Sequence, residues 1–244
     1  FPIVAYQSGQ SGNYIWTLRN FHPATGEFES LYSSINATAP AEDIAIVNNE
    51  FGTWGVLVVG GTFNADTKYY TELAGQGEWR SSLGNLGNAN RVESYPGGDY
   101  ALVVSWSGRS VYRFKQGEFS SYSEAPRFSA MGIWDVSFQE DGRRALITGR
   151  ASSSGAAGPM LEYRHDLYSC ESSTSECGES AMADVSIWGF DNAPWQANSN
   201  TYIMDTAFRP GCDGGILVGS YNNSSGYGFL GEFQIENGDN CRNN

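Results

Sequence analysis

Three aspartates, Asp43, Asp135 and Asp205, open the same short phrase at three distant places in the chain: Asp-Ile-Ala-Ile, Asp-Val-Ser-Phe and Asp-Thr-Ala-Phe. Carboxylates that a fold brings to one height repel one another unless they bind a cation, hold water or share protons. Oxygen-only ligation suits Ca2+ or Mg2+. One expectation is therefore a divalent metal or a water cluster held by this set. The other is that each side chain caps backbone N–H groups of the element beside it, since buried amides need partners.

A second set is aromatic and polar. Tyr6, Phe63, Trp106, Arg109 and Tyr221 stand in or beside segments rich in Gln, Asn and Ser: Gln7–Asn13, Gly61–Thr67, Trp106–Arg109, Arg150–Pro159 and Tyr221–Gly226. Aromatic faces next to amides and hydroxyls suit a sugar or a peptide. The competing role is packing, because aromatic side chains bury large areas. Trp54, Trp79, Trp134 and Trp188 read as packing residues of that kind. No GxSxG, HExxH, Walker loop or CxxC is present. His165 lies in Arg164-His165-Asp166 and His22 in a turn, so no nucleophile-His-Asp set assembles, and whether the protein is an enzyme stays open.

The elements that must position these groups repeat. Gly132–Gly149 reads as strand, tight turn, strand: Asp135, Ser137 and Gln139 alternate with Val136 and Phe138, Asp141-Gly142 marks a hairpin turn, and Arg144–Gly149 is an aliphatic strand. Asp43–Gly60, Val92–Ser105 and Asp205–Gly219 repeat the pair, with Val92 where the others have Asp, and Ile3–Gly9 matches its second strand. Between copies recurs Gly-Glu-aromatic-x-Ser, at Gly26, Gly77 and Gly117, each after a Tyr-bearing strand. The full unit is a meander of four strands, a-b-c-d. In the fourth copy, strand d is expected at Asp184–Phe190.

A repeat of roughly 40–50 residues carrying four short strands is the signature of a β-propeller blade. The fold class expected is all-β: one propeller domain over residues 1–244, with five blades at about 1–40, 41–86, 87–130, 131–197 and 198–244. The first copy lacks strand a and the last lacks strand d. Pairing of the N- and C-terminal segments would then close the ring and remove unpaired edges. In such a ring Asp43, Asp135 and Asp205 converge on one mouth of the channel, the face that the b–c loops also reach.

The totals narrow the partners. The chain has 244 residues and a net charge of −13, with two Lys and twelve Arg. An acidic chain with no basic stripe argues against nucleic acid and anionic membranes. No segment has the length and apolarity of a membrane span. A monomer is expected. The start at Phe1 fits either a removed signal peptide or a trimmed chain. Cys170, Cys177, Cys212 and Cys241 allow three pairings, and Cys170–Cys177 with Cys212–Cys241 is favoured, the second pinning a tail. Disulfides imply an oxidising compartment, so a secreted or periplasmic protein is expected.

The phrases Pro96–Phe114, PGGDYALVVSWSGRSVYRF, with Asp135–Gly149 and Asp205–Gly219, resemble the WD40-like repeats of secreted bacterial β-propellers. The resemblance runs through every blade and implies a fold rather than a function. WD40 repeats carry a structural Asp of the capping kind. More distantly, the set resembles gluconolactonase-like propellers, which implies a divalent metal at the axis, with only Asp43, Asp135 and Asp205 placed for that role. Two functions follow as expectations. One is a binding or scaffold module for a small molecule, glycan, peptide or protein. The other is a divalent-metal-dependent hydrolase of lactones or small esters, with the metal polarising the carbonyl.

Overall fold

The structure, a computed structural model, describes residues 3–10, 13–49, 52–61, 66–73, 76–80, 86, 89–105, 110–121, 131–151, 160–164, 182–184, 201–221 and 227–234. Every regular element in them is a strand, and adjacent strands run antiparallel as meanders. The first is β1 (Ile3–Gln10), β2 (Asn13–His22) and β3 (Glu27–Ala37). The second is β4 (Ala41–Asn48), β5 (Trp54–Gly60), β6 (Asp66–Leu73) and β7 (Gln76–Arg80). The third is β8 (Ala89–Ser94), β9 (Ala101–Ser105), β10 (Ser110–Lys115) and β11 (Glu118–Ser121).

A fourth meander follows, with β12 (Met131–Phe138), β13 (Arg144–Ala151), β14 (Met160–Arg164) and β15 (Met182–Asp184). The last is β16 (Thr201–Phe208), β17 (Gly214–Tyr221) and β18 (Tyr227–Gln234). One bridge, Arg150 to Tyr202, joins these two into a seven-stranded sheet. Among the described residues the first and the last meander each have three strands. Strand d of the fourth copy comes earlier than expected. It is Met182–Asp184, paired with β14, and the remainder of the expected stretch lies outside the described residues.

The chain divides into two compact units. One holds Phe1–Ser94, Gly98–Gly108 and Tyr112–Ser120; the other holds Tyr95–Gly97, Arg109–Val111 and Ser121–Asn244. In the first unit the reason for the strand pattern is visible in β5. Val56 and Val58 face a cluster with Trp16, Leu18 and Tyr70, while Leu57 and Val59 face another with Val92, Val103 and Phe114. A strand with alternate residues buried on opposite sides must be apolar at every position. This is why β5 and β9 do not alternate with polar residues; β17 differs, because Ile216 and Val218 are exposed on either side of buried Leu217. Trp54 and Trp79 pack at the edge of the Trp16 cluster, the packing role expected of them. In the second unit Leu146, Ile203, Leu217 and Phe233 form the corresponding core.

The turn after β12 is longer than an Asp-Gly hairpin. The Gln139 N–H donates to the Arg144 carbonyl at 2.9 Å, closing a four-residue loop. Within it the Gly142 N–H reaches the Gln139 carbonyl at 2.8 Å. Gly142 has φ +73°, a conformation that costs glycine little and other residues more. Asp141 stiffens this loop by accepting from the Arg143 N–H at 2.9 Å and from its guanidinium at 2.6 Å.

Burial raises the Asp141 pKa, but the Arg143 hydrogen bonds and the charges of Arg143 and Arg144 outweigh it and hold the carboxyl below its ordinary value. A carboxylate with a depressed folded pKa adds stability above its unfolded pKa, and loses it as pH falls through the folded value. Asp141→Asn keeps the acceptor oxygen and removes the charge. We expect it to cost about 0.5 kcal/mol at pH 7, the size of an exposed pair. In urea titrations the gap between variant and parent should close as pH drops below about 4.

Candidate functional site

Every strand a carries an irregularity at the same point. The pairing register shifts between Ala41 and Asp43, Ala89 and Arg91, Ile133 and Asp135, and Ile203 and Asp205. A bulge inserts one residue and re-aims the side chain that follows. In this register Asp43 pairs with Val59, Asp135 with Thr148, Asp205 with Val218, and Arg91 with Val104. The third copy therefore places Arg91, rather than Val92, at the aspartate position. An Arg side chain has no acceptor atom and cannot take the aspartate's part.

In the first unit Asp43 Oδ2 accepts from the Val92 N–H on β8 at 2.9 Å, and Oδ1 accepts from its own neighbour, the Ile44 N–H, at 2.9 Å. In the second unit Asp135 Oδ2 accepts from the Thr206 N–H on β16 at 3.1 Å, with the hydroxyls of Thr206 and Ser137 each at 3.4 Å. Val92 and Thr206 both follow the bulge position of their own copy. So in both junctions the carboxylate of one meander takes the same N–H of the next. These are the bonds of a cap. Hydroxyls reinforce the junctions: Ser94 Oγ donates to the Ile46 carbonyl at 2.7 Å, and Ser137 Oγ to the Thr206 carbonyl at 2.6 Å. Asp205, at the same register in the last meander, is exposed. Among the described residues no three His, Cys, Asp or Glu side chains group closely enough to hold a metal ion.

Other carboxylates at the junctions escaped the sequence reading. Asp66 accepts from the Thr38 N–H at 2.8 Å and pairs with Lys68 at 2.8 Å. Asp213, 6 % exposed, accepts from Gln139 Nε2 at 2.6 Å and faces Arg144 at 3.3 Å. Their partners are distant in sequence, so no local pattern marks either carboxylate. Gln7 was assigned to such a loop but stands inside β1, paired with Trp16, and its Oε1 accepts from the Ala41 N–H at 2.7 Å.

Of the aromatic set, Tyr6 lies within β1 opposite Thr17. Tyr221 ends β17 opposite Tyr227. Phe63, Trp106 and Arg109 lie outside the described residues, as do His165, Trp188, Cys170, Cys177 and Cys241. Cys212 is buried in the turn before β17.

No protein-family model matches the chain, and no curated protein does. Solved structures do. The periplasmic gluconolactonase of Pseudomonas aeruginosa is 15% identical with a TM-score of 0.54, over 96% of this chain and 69% of that one. Sqt1 of Chaetomium thermophilum is 14% identical with a TM-score of 0.52, over 93% of this chain and 54% of that one. At such identities the likeness is one of fold. Together with the antiparallel meanders it defines an all-β, propeller-like protein. No helix of the described residues is long and apolar enough to cross a membrane.

Proposed function

We propose that the protein is a ligand-binding or scaffold module: one domain of five blades, its ring closed through the two incomplete meanders, working outside the cytoplasm. On this reading its loops and channel mouth take a glycan, peptide or protein. Tyr6, Phe63, Trp106, Arg109 and Tyr221 supply aromatic and cationic contacts. The pairings Cys170–Cys177 and Cys212–Cys241 belong to the same reading, because an oxidising compartment permits them. One observation carries it: the Asp43 and Asp135 carboxylates are spent on backbone N–H groups of the next meander. Acidic residues used that way build a rigid platform and leave recognition to the loops.

A second reading rests on Asp205, which shares the register yet is exposed. It makes Asp43, Asp135 and Asp205 ligands of Ca2+ or Mg2+ in a hydrolase of lactones or small esters, and it requires the two caps to be given up. Two measurements separate the readings. The first expects saturable binding on a glycan or peptide array, weakened in Trp106→Ala, and no change in melting temperature at millimolar Ca2+. Lactone hydrolysis abolished by EDTA, with a melting shift in Ca2+, would replace it with the second.

A further inference from the structure

Two Asp-Gly pairs stand in the described residues, Asp141-Gly142 and Asp213-Gly214, and both lie at the turn between strands a and b of their copy. Such a pair carries its own electrophile and nucleophile. Glycine has no Cβ to obstruct its amide nitrogen, which can attack the side-chain carboxyl carbon just before it. A new N–Cγ bond forms, the Cγ–OH bond breaks, and the amide proton leaves with the hydroxyl as water. Solvent water then opens the cyclic imide at the main-chain carbonyl carbon, breaking the bond from that carbon to nitrogen. The chain now runs through the side chain as isoaspartate, with one extra backbone carbon and no net change in mass.

The two turns guard this chemistry unequally. The Asp213 side chain is 8 % exposed, with Oδ1 accepting from Gln139 Nε2 at 2.6 Å and Oδ2 facing Arg144 at 3.3 Å. The Asp141 side chain is 39 % exposed. Its oxygens are held by one exposed residue: Oδ1 accepts from the Arg143 N–H at 2.9 Å and Oδ2 from Arg143 Nε at 2.6 Å. An exposed pair of this kind holds weakly. The Gly142 N–H is committed to the Gln139 carbonyl at 2.8 Å, and the Tyr95 ring lies so close that a Cβ on Gly142 would come within 2.3 Å of it. The reaction needs the carboxyl protonated and turned away from Arg143, and the guanidinium opposes both.

We infer that Asp141-Gly142 is a modification site, forming isoaspartate when the Arg143 clamp opens, whereas Asp213-Gly214 stays locked. The consequence follows from the loop. The Gln139 N–H closes it on the Arg144 carbonyl at 2.9 Å, and an extra backbone carbon breaks that spacing. Gln139 is also the residue whose Nε2 reaches Asp213 and, at 3.3 Å, the Cys212 carbonyl of the last meander. Modification of an exposed turn therefore loosens a buried contact between two meanders.

The test incubates the 244-residue chain and its Arg143→Ala variant at physiological temperature and neutral pH. Isoaspartate is counted at each site by peptide mapping with electron-transfer fragmentation. A synthetic peptide of residues 139–144 gives the unguarded rate. The parent should convert at Asp141 about tenfold slower than the peptide, because only the locally opened turn reacts. Arg143→Ala should convert about twofold to threefold faster than the parent, the release of one exposed pair. Asp213 should stay unmodified in both, and hydrogen exchange at Gln139 should quicken in the converted fraction. Conversion of the parent at the peptide's rate overturns the inference, as do equal rates in parent and variant. So does conversion at Asp213 as fast as at Asp141, which would mean that the whole turn face opens and that no local clamp sets the rate.

Discussion

Asp135→Ala should lower stability by about 2–4 kcal/mol, while Asp205→Ala should stay within about 0.5 kcal/mol. The two residues share a sequence phrase, a bulge and a register. They differ in what the carboxylate does. Asp135 is 5 % exposed and its Oδ2 accepts the Thr206 N–H, with the Thr206 and Ser137 hydroxyls each 3.4 Å away. Truncation leaves a buried amide without its partner, and that desolvation cost is the larger part of the loss. Asp205 is exposed, so solvent replaces whatever its carboxylate touches. Asp43→Ala should fall between, at about 1–2 kcal/mol, because Asp43 is half-buried and its bond to the Ile44 N–H is local. Asp135→Asn should recover part of the loss, since the amide oxygen still accepts from Thr206. Urea midpoints with an unchanged slope would report these differences as stability. If the three alanine variants were equally destabilised, and only in Ca2+, the carboxylates would be ligands rather than caps.

How much of this was legible beforehand follows from what a repeat can encode. The four-strand grammar came from local patterns, and those patterns have local causes: glycines where turns need positive φ, and aliphatic runs where both strand faces are covered. Val56-Leu57-Val58-Val59 is such a run, and the two clusters on either side of it are its explanation. Placing Val92 at the aspartate position failed because matching by apolar character ignores bulges. Spacing held the answer. Arg91 precedes Ser105 by the same interval as Asp135 precedes Gly149 and Asp205 precedes Gly219. The choice between cap and ligand was not legible, because it depends on which amide of the next meander arrives opposite the carboxylate. Asp66 and Asp213 were missed for the same reason. Their partners Thr38, Gln139 and Arg144 are distant in sequence, and no local pattern announces them.

The small residues Gly60, Ser105, Gly149 and Gly219, at matching positions in or at the end of each strand b, make the sharpest remaining case. Gly60→Ala should destabilise by about 3–5 kcal/mol. A Cβ at Gly60 would lie 2.0 Å from the Pro40 carbonyl oxygen and 2.9 Å from Trp16 Cζ2. Neither neighbour can retreat cheaply. Pro40 leads directly into β4, and Trp16 is fully buried with its Nε1–H donated to the Ala39 carbonyl at 2.9 Å. The added methyl must therefore move backbone or expel the ring, which would break a buried hydrogen bond and open the cluster around Leu18 and Tyr70. Gly52→Ala is the control. Its φ is +75° but no atom lies within 4 Å of the new Cβ, so it should cost only about 1 kcal/mol of backbone strain. Denaturant midpoints give both values, and tryptophan emission shows whether the ring has moved toward water. Gly60 has no positive φ, so equal losses at the two sites would mean that the close approach of one meander's backbone to the next does not explain the glycine at this position. The larger loss at Gly60 would make that contact the reason the repeat keeps a small residue at this point.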